Sequence, residues 1–259
     1  MKVVIAGEVP FVGEVGELSF AAGHDTILFL VEDFISAIQS GYMMDDLADV
    51  DVVIELHNES AAAKNELLMQ LSNAIPRDAL LLTSALAAST TLAASWVPNP
   101  ARVVGFGVLP PLSKTGAVEL ASGMLTAPEA LQKAVSFWEG LGYTPFHVAD
   151  GPGLVRARVV CCLMNEAVSA LMEGIARAED IDNAMKLGTN YPLGPLEWAD
   201  HIGLDTVLGV MRGLFEEWGD DRYRPSPLLK RMVLAGRLGK KSGQGFYRYA
   251  KDGQRTPEA

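Results

Sequence analysis

Apolar residues in the first 150 positions cluster in short continuous runs, with amphipathic stretches between them. The runs lie at residues 2–6, 25–31, 51–56, 79–83 and 102–109. Between them, apolar positions recur at helical spacing at about 11–22, 33–40 and 60–73. A further helix is predicted at 127–142, with Pro128 at its start, and a last strand at 143–149. Strands that alternate with helices predict an α/β domain with a mostly parallel sheet covered on both faces.

The pattern changes after "DGPG" at residues 150–153, where only helical periodicity remains. The stretch 154–176 is apolar nearly all round its middle, which predicts burial among other helices or at a subunit interface. Further helices are predicted at 178–188, within 194–219 and at 226–236. The tail "DGQRTPEA" is expected to be disordered. The sequence thus predicts an α/β domain over residues 1–149 and an all-α domain over 150–259.

Composition places the chain among soluble globular proteins. It has 259 residues, 49% of them apolar, without a run near the roughly 18 apolar residues of a membrane span. The start "MKVVIAGEV" enters a strand directly, without a signal-peptide pattern, so we expect a cytoplasmic protein with no membrane partner. Cys161 and Cys162 are adjacent in a helical pattern and are expected to be small core residues; no spacing suggests a metal site.

Negative charge is concentrated at the N-terminal end. Residues 3–63 contain twelve Asp or Glu and no Lys or Arg. The net charge of the whole chain is −11, so nearly all of its excess of acids lies in this stretch. Nucleic acid is therefore not an expected partner. The same field opposes any phosphorylated ligand near the first strand.

The first strand runs into a turn that is typical of a nucleotide-binding βαβ unit, but most of the usual glycines are missing. Such units carry G-x-G-x-x-G, whereas this chain has Gly7 followed by Val9 and Val12, with Glu8 and Glu14 nearby. Side chains and anions at these positions are expected to hinder a pyrophosphate.

Three motifs of the second half resemble the short-chain 3-hydroxyacyl-CoA dehydrogenases, also called 3-hydroxybutyryl-CoA dehydrogenases. They are "DGPGLVRARVV", "EDIDNAMKLGTNYPLGPLEWADHIGLDT" and "GRLGKKSGQGFYRY", within residues 140–250. The first half is similar more loosely, through "AGHD", "DVVIEL", "ESAAAKNELL", "NPARVVGFGVLPP" and "VEL". The resemblance implies an α/β Rossmann-like N-terminal domain followed by an all-α C-terminal dimerisation domain, and hence a homodimer. It also implies NAD as cofactor and oxidation of the 3-hydroxyl of an acyl-CoA.

Several residues that the resemblance implies for catalysis are replaced. The positions of the family's ribose-binding acid, catalytic His, neighbouring Asn, catalytic Ser and helix Asn hold, in that order, Leu30, Gly107, Pro110, Leu86 and Ala157. Glu32 lies two residues after Leu30 and is an alternative ribose ligand or a solvated acid. A helical excursion that contacts CoA in the family is expected to be deleted, since only residues 31–50 separate the second and third strands.

Other family positions are kept. The resemblance implies a catalytic, His-orienting role for Glu119 and a cofactor-binding role for Gly7. It also implies that Glu59 and Lys64 lie near the cofactor and that Lys241 reaches the nicotinamide side. The alternative is structural: Glu59 and Lys64 cap and solvate a helix, and Lys241 lies on a turn.

A histidine offers a different catalytic group. His57 follows the third strand, at the sheet edge where ligands bind in such folds, and could form an acid–base pair with Glu55 or Glu59. A solvated loop histidine is the alternative.

Three hypotheses follow from these residues. The first is a family homologue that has lost NAD binding and hydride transfer and acts as a binding or interaction module. The second is an active NAD-dependent 3-hydroxyacyl-CoA dehydrogenase with an unorthodox site. The third is an enzyme of different chemistry that acts on a small uncharged or cationic ligand.

Overall fold

The structure, a computed structural model, describes residues 1–41 and 47–256. Backbone contacts divide the chain into two compact units, Met1–Val155 and Arg156–Ala259. The sequence places its domain boundary at 149–150, close to this division. Within the described residues, no helix is both long and apolar enough to cross a membrane.

The N-terminal unit is built on one sheet of seven strands. The strands are β1 Lys2–Gly7, β2 Asp25–Leu30, β3 Val52–Leu56, β4 Leu80–Ser84, β5 Val103–Gly107, β6 Gly116–Ser122 and β7 Tyr143–Val148. They lie in the order β2-β1-β3-β4-β5-β6-β7. β1 to β5 are parallel, and β6 and β7 run together in the opposite direction. This is the mostly parallel sheet that the continuous apolar runs predict, because β3, β4 and β5 are buried along their whole length.

Helices cover this sheet. They are α1 Phe11–Ala21, α2 Val31–Ser40, α3 Ala61–Ala74, α4 Thr90–Ser95 and α5 Pro128–Gly140. α3 begins where Ser60 caps it by accepting the Ala63 N–H at 3.4 Å. The apolar faces of α2 and α3 pack on β1, β2 and β3 around Phe29, Phe34 and Leu71. The alternation of strands and helices therefore produces a sheet with helices packed on it, in which the parallel strands β1 to β5 end at one carboxyl edge.

The sequence pattern missed two elements of this unit. α4 has only 6 residues, too few for a helical period to stand out. β6 was not predicted because its sequence, GAVELAS, is interrupted by Gly116 and Glu119 and forms no continuous apolar run. The stretch predicted to have lost the CoA-binding excursion forms α2, while its residues 42–46 lie outside the described residues.

The second unit is helical, as expected. Its helices are α6 Arg156–Met172, α7 Ala178–Thr189, α8 Pro195–Ile202, α9 Leu204–Trp218 and α10 Pro227–Leu234. α6 packs against α8, α9 and α10, which explains its apolar middle. Cys161 on α6 is buried, and burial raises the pKa of its thiol. The expected disorder of the tail is wrong for residues 252–256, since the Thr256 N–H donates to the Arg248 carbonyl at 2.8 Å; residues 257–259 lie outside the described residues.

Candidate functional site

The candidate site is the carboxyl edge of the parallel strands, between β1 and β3. From β1 the chain crosses to β2 on one side of it, and β3 lies on the other side. Ligands of open α/β sheets bind at such a switch in strand order. The turn after β1 (Glu8–Pro10) and the loop after β3 (His57–Ser60) meet at this point.

Glu8 joins these two loops. Its side chain is buried, and one carboxylate oxygen accepts the Asn58 N–H at 3.1 Å. The other oxygen accepts from Asn58 Nδ2 at 3.4 Å. His57 Nδ1 lies 3.1 Å from the Glu8 carboxylate, which is an ion-pair distance. The crevice that would admit a diphosphate is thus bridged by the protein's own anion and its partners.

The start of α1 is poorly suited to bind phosphate. Pro10 stands at the N-cap and has no N–H to donate. The Val12 N–H donates to the Glu8 carbonyl at 3.1 Å, so this amide is already used. A helix N-terminus binds phosphate through unsatisfied N–H groups, and these two positions provide none.

The close approach of β1 and β3 explains why residue 7 is a glycine. A Cβ atom on Gly7 would lie 2.6 Å from the backbone carbonyl carbon of Leu56, because β1 and β3 approach closely there. A side chain at this position would force the strands apart. The glycine therefore does not need a cofactor to account for it, and its predicted cofactor role stays a prediction.

Glu14 makes a second link across the edge. It lies in the first turn of α1, and its carboxylate accepts the Leu112 N–H at 2.6 Å. Leu112 belongs to the loop between β5 and β6. Glu8 and Glu14 therefore tie the start of α1 to two different loops of the same edge.

His57 is not a solvated loop histidine, because only 7% of it is exposed. Its Nε2 accepts the Ser60 N–H at 3.3 Å, which holds the loop that leads into α3. Burial lowers the pKa of His57, but the hydrogen bond and charge of Glu8 and the charge of Glu55 outweigh burial, so the pKa is raised. The expected pairing with Glu55 or Glu59 is corrected here: the carboxylate beside the ring is that of Glu8.

Glu55 instead pairs with Lys64. The ammonium of Lys64 contacts the Glu55 carboxylate and donates to the His57 carbonyl at 3.0 Å, and both side chains are almost fully buried. Glu55 also accepts from the Thr83 hydroxyl at 2.7 Å and from the His57 N–H at 2.6 Å. This arrangement differs from a solvated Lys64 on a helix surface, since the ion pair is inside the unit and its hydrogen bonds are made.

Glu119 of β6 pairs with Gly107 of β5, which is the position of the family's catalytic histidine. Its carboxylate accepts the Val155 N–H at 3.3 Å. A Cβ atom on Gly107 would meet Leu154 Cδ1 at 3.0 Å and Glu119 Oε2 at 3.3 Å. The space for a longer side chain at Gly107 is therefore taken by Leu154. Leu86, at the family's serine position, is buried.

Two further predicted residues, Glu59 and Lys241, have surroundings of their own. Glu59 is exposed in the loop before α3. Lys241 belongs to the helical unit, where its ammonium contacts the Asp205 carboxylate and the side chain is largely buried. The proposed roles of Glu59, Lys64, Glu119 and Lys241 toward a cofactor or substrate stay predictions.

Sequence reasoning overlooked Asn58 and Ser84. Asn58 is buried and accepts from the Ser84 hydroxyl at 2.7 Å, so it connects the ends of β3 and β4 to Glu8. The available signal was a polar residue at or just past the carboxyl end of each of two neighbouring parallel strands, because such ends meet at one edge of the sheet.

One cavity of about 590 Å³ lies elsewhere, at the opposite edge of the sheet. It is lined by the starts of β3 and β4 and by α5, including Val52, Leu80 and Phe137. It is distinct from the candidate site, since Glu8, His57 and Asn58 lie at the carboxyl ends of the strands.

Two family models match the chain in succession. The NAD binding domain of 3-hydroxyacyl-CoA dehydrogenase matches residues 29–151, and the C-terminal domain of 3-hydroxyacyl-CoA dehydrogenase matches residues 153–249. The first match begins within β2, so the β1–α1 turn lies outside it. The part of the chain that departs from the glycine pattern is thus the part that the NAD-domain model does not cover.

Curated relatives and solved structures agree with these matches. A probable 3-hydroxybutyryl-CoA dehydrogenase of Deinococcus radiodurans is 42% identical over 206 residues, which are 80% of this chain and 74% of that protein. The 3-hydroxybutyryl-CoA dehydrogenase of Clostridioides difficile is 36% identical, over 85% of this chain and 78% of that protein. The crystal structure of (S)-3-hydroxybutyryl-CoA dehydrogenase from Ralstonia eutropha superposes with a TM-score of 0.76 at 30% identity, covering 96% of this chain and 99% of that one.

Proposed function

Because this chain belongs to the 3-hydroxyacyl-CoA dehydrogenase family, we propose that it keeps the family fold but has lost NAD binding and hydride transfer, and acts as a binding or interaction protein. The observation that carries this proposal is the buried Glu8 carboxylate in the β1–α1 turn, held by Asn58 beside His57. A dinucleotide would have to displace that carboxylate or bind against it.

Charge makes either course unfavourable. Two unit charges 4 Å apart repel by about 1 kcal/mol in water and by about 4 kcal/mol near a protein surface. Glu14 adds a second anion in the first turn of α1. Moving Glu8 would also leave the buried Asn58 amide without its acceptor, which costs about 1–3 kcal/mol. NAD therefore does not fit the residues present in the β1–α1 turn.

The residues at the family's proton-transfer positions support the same proposal. The position of the family histidine is Gly107, and Leu154 stands in the space above it. Glu119 accepts the Val155 N–H, and the position of the family imidazole beside it holds no side chain because it is a glycine. Loss of a well-placed acid–base group alone slows an enzyme by about 10²–10⁴.

A second candidate is an active NAD-dependent 3-hydroxyacyl-CoA dehydrogenase with an unorthodox site. It is favoured by the names of relatives that share 42% and 36% of their aligned residues with this chain. It is also favoured by the retained family positions Lys64, Glu119 and Lys241. In this candidate, the Glu8 bridge would have to open before cofactor binds.

Titration with NADH separates the two candidates. Energy transfer from tryptophan to NADH and the thermal unfolding midpoint are measured up to roughly millimolar NADH, where a typical dehydrogenase site is saturated. We expect no saturable signal from the wild-type protein. Saturable binding together with acetoacetyl-CoA-dependent oxidation of NADH would overturn the proposal in favour of the active dehydrogenase.

A matched pair of variants tests the stated cause. Glu8→Gln removes the charge but keeps an amide oxygen for the Asn58 N–H, and should raise NADH affinity by about tenfold or more, as about 1.4 kcal/mol of repulsion is removed. Glu17→Gln makes the same change of charge on the exposed side of α1 and should leave NADH affinity unchanged. Equal effects of both substitutions would show that Glu8 is not the obstacle.

A further inference from the structure

The outer edge of β2 presents backbone hydrogen-bonding groups to solvent. β2 is the terminal strand of the sheet, so within the described residues no strand pairs with its outer side. The Asp25 N–H donates to the Met1 carbonyl at 3.0 Å, which directs Asp25 toward β1. Since successive residues of a strand direct their backbone groups to alternate sides, the N–H groups of Thr26, Leu28 and Leu30 face outward.

The side chains beside this edge are apolar and exposed. Leu28 and Leu30 are 38% and 45% exposed, and Phe20 on α1 is 52% exposed. Leu28 packs over Gly16 of α1, where a Cβ atom would come within 2.8 Å of it. Phe20 follows Gly16 by one helical turn, so it lies on the same side of α1. The edge is thus bordered by an apolar surface on its α1 side.

Proteins usually protect such an edge, and the other edge of this sheet follows that rule. β7 carries Pro145, which cannot donate a hydrogen bond to an added strand. β2 reads "DTILFL", with no proline and no lysine, and its pairing with β1 is regular along all six residues. The unprotected edge therefore fits an added strand.

Charge indicates which strand would be added. Glu17, Asp25, Glu32 and Asp33 are exposed around this edge, and residues 3–63 hold no Lys or Arg. A second copy in antiparallel register would bring its own Asp25 toward Leu30 and Glu32, so that like charges meet. A basic segment gains at the same positions.

We propose that the outer edge of β2 binds an extended segment of a partner protein in which basic and apolar residues alternate. The segment adds a strand through main-chain hydrogen bonds to Thr26, Leu28 and Leu30. Its apolar side chains lie on Leu28, Leu30 and Phe20, and its basic side chains meet the surrounding acids. This interaction does not depend on whether NAD binds at the carboxyl edge.

The probe is a fluorescein-labelled hexapeptide of alternating valine and lysine, titrated with the full-length protein and followed by anisotropy. Saturable binding is expected, with at least tenfold weaker binding to Leu28→Pro, because proline removes an outward N–H but none of the bonds to β1. Leu28→Ala keeps that N–H and should weaken binding by less than Leu28→Pro. Circular dichroism and the thermal midpoint establish that both variants are folded.

Two further arms keep the test decisive if Leu28→Pro does not fold. Asp25→Lys should weaken binding of the basic peptide, and a peptide N-methylated at alternate residues should not bind. The absence of binding at roughly millimolar peptide, or equal binding of a valine–glutamate peptide, would overturn the proposal. Self-association of the protein that is lost in Leu28→Pro would also overturn it, because a second copy would then cover the edge.

Discussion

Individual charged residues at the carboxyl edge are partnered inside the protein. Glu8 holds Asn58, and Glu55 holds Lys64 together with Thr83. Each buried charge has an opposite charge or several donors nearby, which is the condition for a charge to be tolerated away from water. The presence of Lys64 is thus explained by folding, and its cofactor role stays a prediction.

The Glu55–Lys64 pair leads to a stability prediction. Lys64→Met should lower the free energy of unfolding by about 3–5 kcal/mol, because it leaves Glu55 buried without its counter-ion. The double variant Glu55→Gln/Lys64→Met should recover part of this loss. Urea denaturation measures both, with the exposed Lys133→Met as control. A single variant as stable as wild type would contradict the structural role assigned to Lys64.

At the scale of elements, buried carboxylates attach the C-terminal segment to the helical unit. Asp182 on α7 accepts the Leu196 N–H at 2.8 Å and the Tyr247 hydroxyl at 2.7 Å. Asp200 on α8 accepts the N–H groups of Phe246 and Tyr247, both at 2.9 Å. Two helices and the segment before the chain end are therefore joined by acceptors that apolar periodicity does not reveal.

Asp200 makes stability depend on pH in a defined direction. Burial, together with the charge of Asp182, raises the pKa of Asp200 from 3.8 to about 6. The hydrogen bonds donated by Phe246, Tyr247 and Tyr249 lower this pKa, but burial outweighs them. A carboxyl whose pKa is raised in the folded state binds more protons there than in the unfolded state. Its contribution to stability is therefore complete below pH 3.8 and is lost as pH rises through about 6.

The measurement compares wild type with Asp200→Asn. Relative to this variant, wild-type stability should fall by about 3 kcal/mol between roughly pH 4 and pH 6, at 1.36 kcal/mol for each unit of pKa difference. Chemical denaturation at several pH values gives both curves. A difference that is constant with pH, or that grows as pH rises, would be inconsistent with a raised pKa.

At the scale of the molecule, the helical unit has exposed apolar side chains on its central helix. The acids of residues 3–63 belong to the N-terminal unit, whereas the helical unit leaves apolar side chains of α6 exposed in the single chain. Val159 is 60% exposed and Met172 is 41% exposed. Apolar residues of this size on a helix that also forms the centre of a unit are typical of a subunit interface. We therefore propose a homodimer formed through the helical unit.

Light scattering tests this assembly. Wild-type protein should have twice the 27.7 kDa mass of the chain, and Val159→Glu should shift it toward the monomer by burying an unpaired charge at the interface. Met124→Glu makes a similar change at an exposed position of the N-terminal unit and should leave the mass unchanged. A monomeric wild type would contradict the proposed homodimer.

The sequence by itself determined the class of fold. Buried parallel strands must be continuous apolar runs, so β1, β3 and β4 could be predicted, and the loss of helical–strand alternation after "DGPG" revealed the second, helical part. The pattern missed α4 and β6 because a six-residue helix is too short to show a period and because Gly116 and Glu119 interrupt the apolar run of β6. The replaced family positions, such as Gly107, were also readable from the sequence alone.

Only the tertiary structure decided which polar groups meet. Glu8 and Asn58 are 50 residues apart, and Glu14 and Leu112 are 98 apart, so their pairing depends on strand order. Hydrophobic periodicity specifies which face of an element is buried, but it does not specify which loops lie side by side. The anion in the β1–α1 turn was visible in the sequence; that His57 and Asn58 hold it there follows from placing β3 next to β1.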